Sequence, residues 1–389
     1  MKPIIDFEEL LRAYFDCRKT KRWSKGALEF EIDYEHNLLD LYEGLISEKW
    51  NPGKSSCFIV TKPVCREIFA APFRDRIVHH LLINRLNPYF EKYFIRDSYA
   101  CREKKGIFAA ISKLEHFIRS ESKNGAESCF ILKLDIKGFF MSIPRQKLCK
   151  KLEDFIDEKI VVLRHDNEFL KSLVRKIVLT DPTQNCIRRS PAYLWKQLPF
   201  DKSLFTCKKG CGLPIGNLTS QVFANFYLTE FDHFIKHTLQ VKNYVRYVDD
   251  FVIVHKDEKY LKMLIPEIRK FLEKNLELKL HPNKIYLQKA CHGVEFLGSF
   301  IKPSHTVSGR RIKRNFVSKL QTYENLAESH KPTGEEKNAI LSSVNSYFGI
   351  FRHYKSYKFR TTQLIRHFKN KLKKHFSLKS EALKIERRN

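Results

Sequence analysis

Apolar and polar residues follow two periods along this chain, one typical of helices and the other of strands. Up to residue 60 the pattern predicts helices, which end at the turn signal Asn51-Pro52-Gly53. Short apolar runs at 58–60 and 66–69 predict strands, whereas helical periodicity over 73–120 predicts helices. The first third of the chain is therefore predicted to be mainly helical, with two short strands.

The middle of the chain carries the clearest strand signals. An apolar run at 129–136 predicts a buried strand, and two further runs flank residues 249 and 250. A Lys- and Arg-rich helical stretch follows beyond about residue 310. Strands mixed with helices before a helical tail predict an α+β fold with a small α domain. The remaining predicted elements are helices over 145–180, 220–238 and 257–276, a loop over 181–211, and strands near 284–288 and 294–301.

Two adjacent carboxylates lie where the strand pattern is strongest. Asp249 and Asp250 interrupt the apolar run 244–254, so we expect them at the tip of a tight hairpin between two buried strands. Unpaired like charges in such a place would be destabilising or would force a proton onto one carboxylate. A divalent cation such as Mg²⁺ would compensate the charge, because hard oxygen ligands suit it. The alternative is an ordinary Asp-Asp turn with both side chains in water.

A third carboxylate, Asp135, ends the predicted strand 129–136. If the two acid-bearing strands lie side by side, Asp135, Asp249 and Asp250 share one patch. Three carboxylates can hold two Mg²⁺ ions, which clamp the attacking and leaving oxygens in phosphoryl transfer. The alternative role for Asp135 is that of an N-cap for a following helix. The backbone that follows, with Gly138 and two phenylalanines, would be suited to meet a triphosphate.

Charge adds a polyanionic partner to this picture. The 389 residues include 72 Lys and Arg against 44 Asp and Glu, a formal charge of +28, which predicts nucleic acid as partner, with a membrane surface as the other candidate. No apolar run approaches the length of a membrane span, and the N-terminus lacks a signal-peptide pattern. Ten scattered cysteines predict free thiols in a reducing, cytoplasmic compartment. The irregular spacing of Cys186, Cys207 and Cys211 argues against a zinc site.

From roughly residue 60 to 300, the order of these motifs resembles that of a reverse transcriptase. Asp135 and the run Tyr247-Val248-Asp249-Asp250 resemble the metal-binding motifs of that family's palm. The resemblance implies a right-hand polymerase fold with fingers, a palm built on an antiparallel sheet, and a helical thumb. It implies two Mg²⁺ ions, with Mn²⁺ as a substitute, held by the three aspartates and the backbone of Ile136. Residues 280–284 resemble the motif whose lysine, here Lys284, protonates the departing pyrophosphate, with a solvated surface lysine as the alternative.

The same resemblance divides the chain into subdomains. It implies an N-terminal helical extension over 1–60, fingers over 61–130, a palm over 131–300 and a basic helical thumb over 301–389, with 141–211 partly a fingers or palm insertion. Aromatic and basic residues interleave in the predicted thumb between Tyr347 and Arg360. Its bases would contact phosphates and give affinity that depends on salt but not on sequence.

Further site residues follow from the same comparison of motifs. Phe140 stands at the steric-gate position that rejects a ribose 2′-hydroxyl, with a plain core aromatic as the alternative. Other residues implied to bind the nucleotide are Arg66, Arg74, Gly138, Phe139, Ile215 and Gly216. Residues implied to contact template or primer are Arg76, Arg102, Gln221, Tyr247 and Val248, with Phe296, Leu297 and Gly298 in a primer grip. For each arginine the alternative is a salt bridge, most plausibly between Asp75 and Arg76.

Residues 212–221 narrow the resemblance. Most reverse transcriptases have a glutamine before the second glycine of this motif and Ser-Pro after it, whereas this chain has Ile215 and Ser220-Gln221. That variant, with the runs at 74–80, 98–102 and 345–350, resembles the reverse transcriptases of diversity-generating retroelements, which copy template adenines carelessly. Isoleucine only packs where an amide would hydrogen-bond around the nascent pair, so geometric checking would weaken. The alternative is that Ile215 is a tolerated apolar neighbour.

The resemblance also implies substrates and partners. The chain would use deoxynucleoside triphosphates to copy a template-repeat RNA into adenine-mutagenised cDNA, assisted by a small basic helical-bundle accessory protein and without a membrane. A retron, group II intron or phage-defence reverse transcriptase is the alternative enzyme. An RNA-binding scaffold with an inactive palm is the alternative from another class. The host, whether a bacterial, archaeal or phage-infected cell, stays open.

Overall fold

A computed structural model of the chain describes residues 5–19, 21–62, 64–160, 164–367, 371–379 and 384–387. Parts of the predicted N-terminal extension and thumb, at 1–4, 368–370, 380–383 and 388–389, lie outside these ranges. The chain divides into two compact units. Unit 1 comprises 1–106, 133–251 and 262–285, and unit 2 comprises 107–132, 252–261 and 286–389. In the ranges given above, no helix has both the length and the apolar character to cross a membrane.

Helices and strands alternate as the apolar pattern predicts. The helices are α1 Phe7–Arg18, α2 Lys25–Glu31, α3 Tyr34–Ile46, α4 Phe73–Tyr93, α5 Ile107–Glu121, α6 Phe139–Ser142, α7 Arg145–Lys159, α8 Arg164–Leu179, α9 Ala192–Trp195, α10 Leu218–Tyr227, α11 Thr229–His233, α12 Glu258–Leu276, α13 Arg310–Ser329, α14 Gly334–Phe351, α15 Tyr357–His367 and α16 Lys371–His375. The strands are β1 Ser55–Val60, β2 Arg66–Ala70, β3 Phe130–Asp135, β4 Cys186–Arg188, β5 Tyr244–Tyr247, β6 Asp250–His255, β7 Tyr286–Lys289, β8 Val294–Phe296, β9 Ser299–Ile301, β10 Thr306–Ser308, β11 Phe376–Lys379 and β12 Lys384–Arg387.

The strands form four small sheets. The strand order of the four-stranded sheet is β5-β6-β3-β7, so the two acid-bearing strands β3 and β6 are neighbours, as predicted. A second sheet has the order β2-β1-β4, in which β1 pairs antiparallel with β2 and parallel with β4. The antiparallel strands β8, β9 and β10 form a third sheet, and β11 pairs with β12. The sheet that matters most for the candidate site is therefore the one that contains β3 and β6.

Unit 1 has an aromatic core. Phe90 of α4 contacts Phe155 and Phe226, with ring centroids 5.2 and 5.0 Å apart. Phe231 of α11 contacts Phe251 at 5.1 Å, which packs β6 against the helix that precedes the hairpin. Edge and tilted contacts of this kind stabilise by about 0.5–1.5 kcal/mol beyond their buried area. The hairpin that carries the two adjacent aspartates therefore stands on a rigid, fully buried base.

Unit 2 has its own core, formed by the basic tail. Helices α13, α14 and α15 bury one apolar face each, centred on Phe316, Phe348 and Phe351. Thr333 and Glu336 form a capping box at the start of α14, which satisfies backbone donors that the first turn leaves open. The tail is therefore a helical bundle, as predicted, and its charges lie outside this core.

Four predicted elements differ from the structure. The predicted loop over 181–211 contains β4, whose pairing with β1 depends on contacts that are distant in sequence. The predicted helix over 145–180 is two helices, α7 and α8, and the one over 73–120 is α4 and α5 with residues 94–106 between them. The predicted helix over 220–238 starts at Leu218, breaks after Tyr227 and ends in a π-helical turn. The predicted strand near 294–301 is the hairpin β8–β9, because Leu297 and Gly298 adopt positive φ.

Candidate active site

The turn between β5 and β6 places the two adjacent aspartates. β5 ends at Tyr247 and β6 begins at Asp250, so Val248 and Asp249 form a two-residue turn. Val248 has φ 58°, a conformation that β-branched residues rarely adopt. Left-handed backbone at a non-glycine residue costs about 1–2 kcal/mol. The strain is confined to the residue before Asp249, which indicates that the surrounding structure imposes the conformation of this turn.

The three predicted carboxylates interact electrostatically. Burial, followed by the charges of Asp135 and Asp250, raises the pKa of Asp249 to about 6. Burial also raises the pKa of Asp250 to about 6, against the opposing effect of the Lys133 ammonium. The side chains of Asp135 and Asp250 are 20 and 22% exposed, so solvent and ligands reach them although most of their surface is covered. The structure thus brings together the three acids that the sequence singles out.

Two lysines accompany these acids. Lys284 Nζ lies 2.9 Å from Asp135 Oδ2, and Lys133 Nζ lies 3.2 Å from Asp250 Oδ2. Burial lowers the pKa of Lys284, but its hydrogen bond with Asp135 and the charges of the three acids raise it overall. Lys284 is therefore an ammonium at neutral pH. Lys133 was not singled out from the sequence, although its position two residues before Asp135 places both side chains on one face of β3.

Backbone pairing explains how Lys284 reaches Asp135. The amide of His281 donates to the Asp135 carbonyl and the amide of Lys137 donates to the Lys279 carbonyl, each at 2.8 Å. These two bonds frame an antiparallel bridge between Ile136 and Leu280 and leave the Ile136 carbonyl unused by the bridge. The segment with Lys284 therefore runs beside the end of β3, and the Ile136 carbonyl is not committed to this pairing.

The donor set fits a hard divalent cation. All three side chains offer carboxylate oxygens, and Asp250 Oδ1 is buried without a hydrogen-bond partner. Mutual repulsion contributes to the raised pKa of Asp249, and a cation would relieve that repulsion. Across the described part of the chain, however, no three His, Cys, Asp or Glu side chains are grouped closely enough to hold an ion by themselves. Side-chain rearrangement, the backbone of Ile136 or oxygens from a substrate would have to complete a coordination shell.

The predicted nucleotide-binding residues around Phe140 pack together. Phe139 is buried, and half-buried Phe140 contacts the same apolar cluster as Ile215. The Ile215 carbonyl accepts a hydrogen bond of 2.8 Å from the Phe69 amide of β2. This cluster is built on four buried side chains, which are Cys57, Phe69, Met141 and Leu204. Phe140 and Ile215 therefore share one apolar wall, and neither is isolated on the surface.

Two glycines of this region are required by geometry. Gly138 has φ 53°, and a Cβ there would lie 3.0 Å from the Asp201 carbonyl oxygen. Gly216 has φ 129°, and a Cβ there would lie only 2.8 Å from both Ile68 Cγ2 and the Phe69 carbonyl oxygen. Such contacts are too short for any other residue without movement of the backbone. The glycines thus let the chain pass close to its neighbours beside Phe140 and Ile215.

The four predicted arginines differ in availability. Arg66 is exposed at the start of β2 and faces solvent. Arg74 is 49% exposed and donates to the Asn51 carbonyl at 3.3 Å. Arg76 is partly covered, its pKa is lowered by burial, and its Nε has no hydrogen-bond partner. Arg102 is 6% exposed and its guanidinium binds Glu91 and two backbone carbonyls. The structure therefore supports a nucleotide or template contact at Arg66, and it does not support the predicted template contact of Arg102.

The predicted Asp75–Arg76 salt bridge is wrong. Asp75 Oδ2 instead accepts a hydrogen bond of 2.6 Å from the Gly53 amide, and its Oδ1 accepts one from Trp50 Nε1 at 3.2 Å. The nearest arginine contact is 3.5 Å, from Arg74. Burial raises the pKa of Asp75. Asp75 therefore fastens the turn after Trp50 to α4, which is a structural role.

The predicted template and primer residues fall in both units. In unit 1, exposed Gln221 accepts a hydrogen bond of 3.5 Å from the Cys101 thiol, and burial raises the pKa of half-buried Tyr247. In unit 2, Phe296 is buried and the next two residues, Leu297 and Gly298, form the turn between β8 and β9. The Gly298 carbonyl accepts a bond of 2.7 Å from the Gly309 amide. The predicted primer grip is thus a braced hairpin.

Comparison with known proteins gives one family match. Residues 62–301 match the family model described as "Reverse transcriptase (RNA-dependent DNA polymerase)". The chain is 22% identical over 315 residues to Protein YkfC of Escherichia coli (strain K12), a match that covers 72% of this chain and 73% of that protein. The family match spans the candidate site from the second strand to the β8–β9 hairpin.

Solved structures give weaker likenesses. Telomerase from Candida albicans, solved with the TWJ fragment of telomeric RNA, matches with a TM-score of 0.45 and 15% identity over 85% of this chain. Apo telomerase from Candida tropicalis matches with a TM-score of 0.46 and 12% identity, also over 85% of this chain. This chain spans 62 and 63% of those two chains, about three-fifths of their length. At these TM-scores neither likeness carries an argument about the chain.

Proposed function

This chain belongs to the reverse transcriptase (RNA-dependent DNA polymerase) family, and on that premise we propose that it is the polymerase of a diversity-generating retroelement. Family membership confirms the predicted right-hand polymerase fold and the predicted enzyme class, an RNA-directed DNA polymerase and hence a nucleotidyltransferase. The retroelement assignment is finer and rests on residues 212–221. We propose that the chain copies a template-repeat RNA into cDNA with errors opposite adenine.

The proposed chemistry assigns a role to each charged group. Asp135, Asp249 and Asp250, with the Ile136 carbonyl, would hold two divalent cations, which when bound would supply charge neutralisation for phosphoryl transfer. With pKa values of about 6, Asp249 and Asp250 are largely ionised at neutral pH and can act as ligands. Lys284, an ammonium 2.9 Å from Asp135, would hold the proton that the leaving pyrophosphate takes up. Lys133 would keep Asp250 ionised through its ion pair.

The observation that carries the retroelement proposal is the packing of Ile215. Its side chain and that of Phe140 contact the same apolar cluster, and its carbonyl is fixed to β2. An isoleucine at this place offers shape but no hydrogen bond to a nascent base pair or sugar. Sites built to hydrogen-bond a substrate reject analogues far more strongly than sites that only pack against it. We infer that selection against mispairs is weakened beside Phe140.

The partners belong to the same proposal. Template RNA and a cDNA primer–template would contact the basic tail and Arg66, and a small basic helical-bundle accessory protein would assist. The tail's Lys and Arg lie outside the apolar core of unit 2, where they can meet phosphates. The predicted subdomain boundaries and cytoplasmic location remain predictions. Binding to a primed RNA duplex should weaken steeply with salt, since phosphate contacts release counterions.

The test is to sequence cDNA made on a primed, mixed-sequence RNA with Mg²⁺ and all four deoxynucleotides. Errors concentrated opposite template adenines support the proposal. Ile215→Gln should lower them, because the amide restores a hydrogen-bonding contact, whereas Ile215→Leu keeps an apolar side chain and serves as the matched control. An identical error spectrum in wild type and Ile215→Gln would contradict the role given to Ile215.

Two other functions give different results in the same assay. Accurate or evenly erring cDNA would move the chain to a retron, group II intron or phage-defence type of reverse transcriptase. An RNA-binding scaffold with an inactive palm would make no cDNA, and Asp249→Asn would leave its function intact. A polymerase loses all primer extension in Asp249→Asn while the variant still binds the primed RNA.

A further inference from the structure

A fully buried arginine lies directly behind the aspartate turn. Arg246 of β5 and Asp232 of α11 are both 0% exposed. Asp232 Oδ1 accepts hydrogen bonds from Arg246 Nε at 2.6 Å and from the Tyr244 hydroxyl at 2.8 Å, and Arg246 Nη2 pairs with Asp232 Oδ2. The sequence analysis treated residue 246 only as part of an apolar strand. A charged side chain in that position needs a specific reason.

Every donor of this guanidinium has a partner. Nη1 donates to Asn225 Oδ1 at 2.9 Å and to the Val248 carbonyl at 3.1 Å, and Nη2 also donates to Ser98 Oγ at 3.2 Å. With Nε and the second Nη2 bond to Asp232, the five N–H groups are all used. A guanidinium held at five points has one position and one orientation.

The bond to the Val248 carbonyl connects this network to the catalytic turn. Val248 is the strained residue, with φ 58°, that immediately precedes Asp249. Its carbonyl belongs to the same peptide unit as the Asp249 amide, so a fixed carbonyl fixes the plane from which Asp249 departs. The backbone of Arg246 is itself held, because its amide donates to the Asp97 carbonyl and its carbonyl accepts from the Tyr99 amide, each at 3.0 Å.

Stability alone does not account for this arrangement. Buried ion pairs contribute little net stability, and apolar replacements of both partners are often neutral or stabilising. A charge-assisted hydrogen bond, by contrast, is well suited to hold a strained peptide in one orientation. The network around Arg246 therefore has more use as a geometric support than as a source of folding free energy.

We propose that Arg246 is a positioning residue that holds the Val248 peptide in its strained conformation and thereby aims the Asp249 carboxylate at the cation site. The proposal rests on the proposed polymerase function. Arg246 is buried away from substrate and acts only through the turn. The Asp232 carboxylate, the Asn225 amide and the Ser98 hydroxyl hold the guanidinium itself.

The test compares Arg246→Lys with wild type and with Arg145→Lys. Lysine keeps the charge opposite Asp232 but cannot reproduce the fork that reaches the Val248 carbonyl. Arg145 is a matched control, because it is also buried and also binds a carboxylate, Asp181, and a backbone carbonyl, that of Thr180, remote from the turn. For each protein we would measure thermal unfolding, Mn²⁺ binding from the signal of free Mn²⁺ without nucleic acid, and single-nucleotide incorporation.

We expect Arg246→Lys to bind Mn²⁺ about tenfold more weakly, the equivalent of ~1.4 kcal/mol, and to lower kcat by at least as much. KM for the primer–template should not change, and Arg145→Lys should match wild type in Mn²⁺ binding and kcat. Wild-type Mn²⁺ affinity per folded molecule in Arg246→Lys, or an equal loss in Arg145→Lys, would overturn the proposal.

Two provisions keep the test decisive. If Arg246→Lys does not fold, the double variant Arg246→Met with Asp232→Leu removes both charges together and still deletes the bond to Val248. Unchanged Mn²⁺ affinity in the folded double variant would then overturn the proposal. If the wild type binds Mn²⁺ but extends no primer, the proposed function is wrong, while the comparison of Mn²⁺ affinities still decides the role of Arg246.

Discussion

Asp249→Asn should stabilise the metal-free protein at neutral pH. In the folded chain, burial and the neighbouring acids raise the pKa of Asp249 from 3.8 to about 6. A carboxyl whose pKa is raised by folding is easier to bury when protonated, so its ionisation works against the folded state. That loss is absent below the unfolded pKa and complete above the folded pKa. An asparagine has the same shape and cannot ionise.

The magnitude follows from proton linkage. A rise from 3.8 to about 6 lowers the free energy of unfolding by about 3 kcal/mol near pH 7.5 and by about 1 kcal/mol near pH 4.5. The stability difference between Asp249→Asn and wild type should therefore grow by about 2 kcal/mol between these two pH values. Below pH 4 the contribution of this group should vanish.

The assay is denaturant unfolding with a chelator present at both pH values, followed by the transition that includes unit 1. Asp154→Asn is the control, because Asp154 is exposed on α7 and its replacement should change neither value. Added Mg²⁺ should stabilise wild type near pH 7.5 and have a smaller effect on Asp249→Asn, since a ligand stabilises only the state that binds it. Equal stabilities of wild type and Asp249→Asn at both pH values would refute the reasoning, because burial would then impose no penalty on the Asp249 charge.

Three further substitutions test other parts of the site. Gly216→Ala should lower the free energy of unfolding by about 1–3 kcal/mol, because its Cβ would lie 2.8 Å from the Phe69 carbonyl oxygen at φ 129°, and an unchanged unfolding midpoint would contradict this. Lys284→Ala should slow nucleotide incorporation about 100-fold or more without weakening primer–template binding, and a normal rate would remove it from the chemistry. Phe140→Ala should reduce discrimination against ribonucleotides about 10–100-fold in competition assays, and retained discrimination would leave Phe140 as a plain core aromatic.

The acid-bearing strands could be predicted from the sequence because their signals are local. An apolar run that ends in Asp135, and two apolar runs around Asp249 and Asp250, are visible within a dozen residues. Their pairing in one sheet follows from the short list of ways in which such strands can pack. The strand order, in which β6 lies next to β3, agrees with that prediction.

What the sequence did not show depends on long-range contacts. Lys133 and Arg246 look like ordinary members of their strands, and their partners, Asp250 and Asp232, are distant or lie on another element. Arg102 looked available because its sequence motif matches a nucleic-acid contact, whereas Glu91, eleven residues away, binds its guanidinium. A charged residue has the same local pattern whether it faces a ligand or a buried partner, so only the tertiary structure separates the two.

The charges around the aspartates explain why the proposed site would bind cations and a triphosphate together. Three carboxylates face two ammonium groups, and the acids are therefore only partly compensated in the free protein. Divalent cations would complete the neutralisation and then leave an excess of positive charge, because both lysines stay in place. A triphosphate removes that excess. Neither ligand alone balances the site, so each should bind more tightly in the presence of the other, as reciprocal linkage requires.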